Sequence, residues 1–293
     1  MNTSHGIFKK LEPLFYLLPA IIFFGVFTYY PFIRTAFSSF FMVDSMGTIK
    51  APAGFENYTR VLSDSKFLIS IKNTMLYALM AAPLSIITAL LLALVAQKRR
   101  TASPVYETMF ALTMAMSMSV SAMIFRLAYN PTIGVLNYVL HTRINWLNDS
   151  FFAMPAISMI SVWMNIGYNF IFLLAGVRGI SNEILESTEL DGASFFRKTV
   201  SIIIPMISPV LFFLVCTSLA KSMTMSGLVL IFTNTGALAT TANIETMISY
   251  MYKQAVNNFN YNDAYAAAMI AFVITLVLIL LSFRFEKKGV YYK

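Results

Sequence analysis

Charged residues are scarce in this sequence of 293 residues. Asp, Glu, Lys and Arg make up 12% of the chain, whereas 58% is hydrophobic and the mean hydropathy is +0.71. So few charges cannot cover the surface of a water-soluble particle, and most of that surface must therefore face lipid. This excludes a soluble enzyme. The basic excess of 21 − 13 = +8 is typical of residues that set membrane topology, and we expect no nucleic-acid partner.

Chemical motifs are missing as well. Cys216 is the only cysteine, so the chain forms no internal disulfide. The histidines, His5 and His141, lie far apart, and the sequence has no G-x-x-x-x-G-K-[ST] phosphate loop, no H-E-x-x-H and no C-x-x-C. We therefore expect no catalytic residue, no metal site and no cofactor bound by this chain. A polytopic chain without such clusters is typical of a conduit.

Long runs without Asp, Glu, Lys or Arg are abundant. About 20 apolar residues cross the hydrocarbon core of a bilayer. The runs are continuous and do not alternate in ten-residue blocks, which excludes an outer-membrane β-barrel. We therefore predict an all-α integral membrane protein with six transmembrane helices, in a single domain over residues 1–293. The predicted spans are Leu14–Ile33, Asn73–Ala96, Thr108–Phe125, Ser150–Val177, Thr199–Ala220 with an uncharged continuation past Lys221, and Ala264–Phe283.

Basic residues indicate the orientation of these spans. With six spans both termini lie on one side, and 12 of the 21 Lys and Arg residues fall there against eight on the other. Lys98, Arg99 and Arg100 are concentrated in one very short loop. By the positive-inside rule we expect a multi-pass membrane protein with both termini in the cytoplasm.

The segment between the fourth and fifth predicted spans is charged and amphipathic. Acidic residues come first and the bases Arg197 and Lys198 come last, which suits the dipole of a short helix. Apolar residues stand at helical spacings interrupted by Gly192, so we predict two short helices that meet at this glycine. From the residues alone, a helix pair at the membrane surface and a protein-docking element are both open. The apolar positions are Ile184, Leu185, Thr188, Phe195 and Phe196.

The same segment resembles the E-A-A-x3-G-x9-I-x-L-P motif of permease subunits in binding-protein-dependent ABC importers. Glu186-Ser187-Thr188, Gly192 and Ile202-Ile203-Ile204-Pro205 match its spacing, with Ser187 and Thr188 in place of the two alanines. The resemblance implies the type I permease fold, with residues 183–205 as a coupling segment that docks on an ATPase. The coupling residues it implies are Glu186, Ser187, Thr188, Asp191, Gly192, Ala193 and Pro205.

Flanking strings resemble the sugar-type branch of that family, related to maltose and glycerol-3-phosphate importers, from about residue 55 to the end. This chain departs from the branch at Met225, where an Asp is usual, and at Gly236-Ala237-Leu238, where G-G-P is usual. The similar strings are Phe55-Glu56-Asn57-Tyr58 with Asp64, Asn73-Thr74, Gly167-Tyr168-Asn169, Leu174-Ala175-Gly176, Tyr250-Met251-Tyr252 and the tail from Phe283 to Tyr291.

The resemblance also implies a place in the bacterial cell membrane and a set of partners. The chain would pair with a second homologous permease subunit in the lipid bilayer, and two cytoplasmic ATPase subunits would bind ATP and Mg and move the coupling segments. An extracytoplasmic binding protein would deliver the solute, a carbohydrate or polyol phosphate. Glycerol 3-phosphate is the leading candidate, and an oligosaccharide remains open.

Polar residues at membrane depth are candidates for the solute pathway. Lys221 interrupts an apolar run, where a charge costs about 2.5 kcal/mol or more unless it is paired or wet. It fits either an electropositive contact for an anionic solute or an interhelical partner. The amides and phenol on the fourth span fit either sugar hydroxyls or contacts between helices. The full candidate set is Trp163, Asn165, Tyr168, Asn169, Lys221 and Met225.

The sequence argues against two other functional classes. A stand-alone secondary transporter or channel predicts inverted sequence repeats, and none is seen. A membrane-embedded enzyme needs clustered acids or histidines within spans, and the charge-free runs contain none. The methionines between positions 109 and 123 are better interpreted as adaptable packing than as a metal relay.

Overall fold

A computed structural model describes residues 16–98, 101–234 and 244–289. In chain order its elements are α1 (Tyr16–Ser38), β1 (Phe41–Val43), β2 (Ile49–Pro52), α2 (Glu56–Ser63), α3 (Ser65–Val95), α4 (Ser103–Ala111), α5 (Met118–Ala128), α6 (Val135–Leu140), α7 (Ala153–Arg178), α8 (Asn182–Leu190), α9 (Phe195–Lys198), α10 (Ile204–Met206), α11 (Ser208–Met223), α12 (Gly227–Asn234), α13 (Met247–Tyr252) and α14 (Tyr261–Gly289). A 3₁₀ turn, Leu112–Ala115, follows α4.

The predicted all-α membrane architecture is confirmed. Among the described residues, five helical stretches are long and apolar enough to cross a bilayer, and the bent pair α4–α5 is a sixth. The five are Tyr16–Ser38, Ser65–Val95, Ala153–Arg178, Ser208–Thr233 and Tyr261–Arg284.

The chain divides into two compact units, and the first contains the described residues 16–63 together with Met251–Ile270. Buried Asn57 organises this unit, because its side-chain amide donates to the carbonyls of Ser39 and Phe41 at 2.9 and 3.0 Å. Arg60 forms an ion pair with Asp263 at 2.6 Å. The Phe55–Tyr58 string is therefore accounted for by the fold, since its asparagine holds the chain between α1 and the β1–β2 hairpin.

The second unit contains residues 64–250 and the helix residues after 270. Its centre is the contact between α3 and α7. Small residues line the buried face of α3 at helical spacings, which lets the two backbones approach closely, as is common between helices in lipid. They are Ala78, Ala81, Ala82, Ser85, Ala89 and Ala93.

Hydrogen bonds set the direction of α3 against α7. Tyr77 Oη donates to Ser161 Oγ at 2.6 Å, and Asn169 Nδ2 donates to Ser85 Oγ at 3.1 Å. Farther along both helices, Arg178 Nη2 donates to the Ala96 carbonyl at 2.9 Å. The partners advance together in sequence, so the two helices are parallel. Parallel spans require an odd number of crossings between them, and α4–α5 therefore carries the chain back across the membrane.

The third span is not the straight helix Thr108–Phe125 that the apolar run predicts. Ser103–Ala115 and Met118–Ala128 meet at an angle of 101°. The Ser117 side chain accepts from the Val120 backbone amide at 3.3 Å and so begins a new helix within the apolar run. Hydropathy does not register this cap, because serine is tolerated within apolar spans.

The fifth span covers Ser208–Thr233, so it begins later than the predicted Thr199 and includes the uncharged continuation past Lys221. Ile207 interrupts the helical path between Pro205 and Pro209, and each proline removes a backbone donor. Phe172 packs on Phe213 with ring centroids 5.3 Å apart, and Tyr168, earlier on α7, contacts Lys221, later on α11. The partners run in opposite directions along the two helices, so α11 is antiparallel to α7. Lys221 lies near the middle of this span, in agreement with its predicted position within the apolar run.

The segment before α14 is pinned to the start of α3. Asn73 Nδ2 donates to the Glu245 carbonyl at 3.1 Å, and Thr74 Oγ1 accepts from the Met247 amide at 3.0 Å. Tyr250 Oη donates to Asp64 Oδ2 at 2.6 Å. These contacts give the Asn73-Thr74 and Tyr250 strings a structural role. The family resemblance alone does not assign one.

Candidate functional site

The segment between the fourth and fifth spans folds as two short helices, α8 and α9, on either side of Gly192, which confirms the predicted helix pair. Gly192 has φ +70°, a left-handed conformation that favours glycine. Its amide donates to the Glu189 carbonyl at 3.1 Å, and the Ala193 amide donates to the Thr188 carbonyl at 3.3 Å. These two bonds satisfy carbonyls at the end of α8.

The two helices differ in how they expose apolar side chains. On α8, Ile184 and Leu185 pack against the hydrophobic core, and Thr188 is buried. Around the bend, Leu190 is 89% exposed, Phe195 66% and Phe196 76%. The bend thus presents three large apolar side chains, a surface typical of contact with a partner or with lipid. Leu190 was missed from the sequence, because its helical position did not predict that the bend would expose it.

The same segment also carries exposed polar and charged residues. Glu186, Ser187 and Asp191 are exposed, and Pro205 lies exposed at the start of α10. Lys198 donates to Glu189 Oε1 at 2.8 Å across the bend. This hydrogen bond, with weaker attraction from Lys98, holds the pKa of Glu189 below its usual value. Because the folded-state pKa is depressed, the pair stabilises the bend at neutral pH, and this contribution is lost only as the pH falls through the lowered pKa.

A cavity of about 630 Å³ lies between α3, α5, α7 and the junction of α11 with α12. Of the predicted pathway residues, Asn165, Tyr168, Lys221 and Met225 line it. Other polar groups converge there from neighbouring helices. They are Tyr77, Ser161, Thr224 and Ser226.

Lys221 is the charged residue of this cavity. Its Nζ lies 4.1 Å from the centroid of the Tyr168 ring, a cation–π contact. The residue is exposed, and among the described residues no carboxylate lies within ion-pair distance of its ammonium. This arrangement differs from a buried interhelical ion pair and leaves the charge available to another group.

The structure places two predicted pathway residues elsewhere. Asn169 is buried and donates to Ser85 between α7 and α3, so it belongs to the helix contact rather than to the cavity wall. Trp163 packs edge-on against Phe125 with ring centroids 5.5 Å apart and does not line the cavity. Gly236, Ala237 and Leu238 lie outside the described residues.

Two helix breaks border the cavity, and neither was predicted from the sequence. The 3₁₀ turn packs directly on α7, where the Gly167 amide donates to Thr113 Oγ1 at 3.0 Å. Met118 lies against Gly227, so closely that a Cβ at Gly227 would clash with the Met118 sulfur. Thr246 Oγ1 donates to the Met225 carbonyl at 2.7 Å, which satisfies a backbone group freed between α11 and α12. Polar residues within apolar runs, Thr113 and Ser117 among them, were the available signal.

Bent and interrupted spans around a polar cavity, together with an exposed loop helix, define a membrane transport subunit. Residues 81–287 match the family described as the binding-protein-dependent transport system inner membrane component. The chain therefore belongs to this family, and it is a multi-pass permease subunit of an ABC importer. This confirms the resemblance drawn from the motif and sets aside the stand-alone transporter or channel.

Individual relatives match over nearly the whole chain. The sn-glycerol-3-phosphate transport system permease protein UgpA of Agrobacterium fabrum is 31% identical over 97% of each chain. UgpA of Brucella abortus is 30% identical over 97% of each. A chain of a bacterial alginate ABC transporter, solved in complex with an alginate pentasaccharide-bound periplasmic protein, superposes with a TM-score of 0.82 at 22% identity and covers 97% of this chain and 96% of that one. The last match shows a common fold.

Proposed function

We propose that this chain and a second homologous permease form the pathway of an importer for a small polyol phosphate, with sn-glycerol 3-phosphate as the named candidate. An extracytoplasmic binding protein delivers the solute. Two cytoplasmic ATPases bind and hydrolyse ATP with Mg, so this chain has a mechanical rather than a catalytic role and binds no cofactor. The family assignment and the names of the two permease relatives support the proposal.

The observation that carries the solute assignment is the exposure of Lys221 near the middle of an apolar span. An ammonium at this depth is costly against lipid, so the face that bears it must border water or another protein subunit. Thr224, one turn away, is exposed on the same helix. We infer that the second permease closes the cavity on this face, and that Lys221 binds the phosphate while the Asn165 amide and the Tyr168 phenol bind hydroxyls.

The coupling assignment rests on the bend at Gly192. The exposed side chains of Leu190, Phe195 and Phe196 would enter a groove on the ATPase, and the carboxylates of Glu186 and Asp191 would face basic walls of that groove. The same side of the membrane holds the ends of α3 and α7, as their parallel register requires. We therefore place this side, and both termini, in the cytoplasm, in agreement with the density of basic residues there.

Replacing Lys221 with Met should reduce uptake of glycerol 3-phosphate about tenfold or more at low solute concentration. A charge-assisted hydrogen bond contributes about 1.5–3 kcal/mol, and 1.4 kcal/mol corresponds to a factor of about 10. The measurement is uptake into proteoliposomes that contain the assembled importer and its binding protein. Lys221→Arg is the matched control and should retain most of the activity. Unchanged kinetics in Lys221→Met would contradict the assignment, provided that the complex assembles in normal yield.

Reversing the charge of Glu186 to Lys should reduce co-purification of the ATPase with the permease pair about fivefold or more, because a lysine would face basic groove walls. Glu56→Lys, a charge reversal at another exposed glutamate, on α2, serves as the control and should leave the yield unchanged. Normal ATPase recovery with Glu186→Lys would argue that the bend rests on lipid.

A further inference from the structure

One arginine side chain, at the end of α7, connects that helix to the end of α3 and to α4. Arg178, the last residue of α7, donates to both carboxylate oxygens of Glu107 on α4, at 2.6 and 3.2 Å. Its guanidinium also donates to the carbonyls of Ala96 and Gln97 just beyond α3, at 2.9 and 3.3 Å. The Arg178 and Glu107 side chains are 21% and 26% exposed, so the pair is largely shielded from water.

This arginine lies directly beside the coupling segment. Helix α8 begins at Asn182, only four residues beyond Arg178. Arg178 also lines a cavity of about 540 Å³ together with Glu186, Glu189 and Lys198 of that segment. A displacement of α8 therefore acts on the last turn of α7 and on its guanidinium.

On the other side of the pair, Glu107 belongs to the half-span that ends at the bend. Helix α4 continues into the 3₁₀ turn, where Thr113 accepts the Gly167 amide, and then into the 101° change of direction before α5. Helix α5 contributes Met118 to the cavity of about 630 Å³ that contains Lys221. The Arg178–Glu107 pair thus lies between the coupling segment and a helix that borders the pathway.

The chemistry of the pair suits the transmission of displacement. A guanidinium has a rigid planar arrangement of donors, and a bidentate contact fixes angle as well as distance. Its positive charge also lies at the carboxyl end of α3, where it is favoured by the helix dipole. A lysine would keep the charge but could not hold the carboxylate and both carbonyls in one geometry.

We propose that Arg178 and Glu107 are positioning residues that transmit movement of the coupling segment to the bent third span. The inference rests on the proposed role of residues 183–205 as the ATPase contact. Breaking the pair lets ATP hydrolysis continue while the third span no longer follows the coupling segment.

The first test compares two conservative variants, Glu107→Gln and Arg178→Lys, in the reconstituted importer with its ATPases and binding protein. In each variant the amount of solute transported per ATP hydrolysed should fall about tenfold, while binding-protein-stimulated ATPase activity stays within about twofold. Asp44→Asn is the control, because it weakens the surface ion pair with Lys50 at 3.1 Å and should change neither quantity. Equal losses of transport and ATPase activity would show a merely structural role and overturn the proposal.

The second test follows distances between spin labels in a Cys216→Ser background. One labelled pair, Leu79→Cys with Glu183→Cys, reports the coupling segment, and the other, Leu79→Cys with Val105→Cys, reports α4. All three positions are exposed, and Glu183 lies in the first turn of α8, outside the proposed docking surface. In the unmodified complex a non-hydrolysable ATP analogue should shift both distances. In Glu107→Gln it should shift only the distance to Glu183.

The outcomes separate the two proposals. If the distance to Glu183 does not respond to the nucleotide in the unmodified complex, the coupling role of residues 183–205 fails, and the role of the pair fails with it. If that distance responds and the distance to Val105 responds equally in Glu107→Gln, only the positioning role is overturned.

Discussion

A Gly167→Ala substitution is expected to lower the thermal unfolding midpoint of the assembled importer by several degrees and to impair uptake severely. An added Cβ would lie 2.6 Å from Thr113 Oγ1 and 2.7 Å from the Phe110 carbonyl oxygen. Such overpacking costs about 1–3 kcal/mol, and the neighbour here is largely backbone that cannot rotate away. The 3₁₀ turn would have to separate from α7, and the bend of the third span would change with it.

The measurement is a thermal denaturation curve of the purified complex in detergent, followed by uptake in proteoliposomes. Gly25→Ala on α1 is the matched control, because a Cβ there meets no atom within 4 Å, and its midpoint should match that of the wild type. A Gly167→Ala complex with an unchanged midpoint would show that the close approach of the turn to α7 does not contribute to stability.

Gly192→Val is expected to have the second large effect, a loss of ATPase from the purified complex. Gly192 has a φ of +70°, which β-branched residues rarely adopt. For a residue other than glycine, this left-handed conformation costs about 1–2 kcal/mol. A cost near 2 kcal/mol reduces the population of the bend about 30-fold. Helices α8 and α9 would then no longer present Leu190, Phe195 and Phe196 together.

Asparagine tolerates the left-handed conformation, so Gly192→Asn should retain most of the bound ATPase. The ATPase-to-permease ratio after affinity purification measures the effect for both variants. No atom lies within 4 Å of a Cβ at this position, so a steric clash would not explain a difference between them. Equal ratios for the valine and asparagine variants would remove the conformational argument for Gly192.

Much of the architecture was predictable from the sequence, because long charge-free runs leave few alternatives in lipid. The coupling segment was predictable for another reason. Its acids, bases and apolar residues follow a helical period with a break at Gly192, and the structure has two helices and a left-handed glycine there. Hydropathy could not predict the break at Ser117. The helix cap there depends on a single serine hydroxyl, whereas the mean hydropathy of the run is set by many residues.

The cavity was predictable only in part. Lys221 and Asn165 were identified because polar groups at membrane depth are costly and therefore uncommon. Asn169 was grouped with them, yet its amide is directed to Ser85 on a neighbouring helix. Asn165 and Asn169 are four residues apart and lie on the same face of α7. The sequence does not show which neighbouring helix or cavity each of them meets, so it does not distinguish them. The contribution of Met118 was unpredictable for the same reason, since it follows from a bend that places α5 against Gly227.

The tight contact between α3 and α7 also has a practical consequence for studies of the transport cycle. Close backbone packing and two buried interhelical hydrogen bonds make these helices a fixed frame, against which the interrupted third and fifth spans can be measured. Probes on the frame should record the same separation in every nucleotide state. The distance between such probes therefore serves as an internal reference for distances measured to the segments that move.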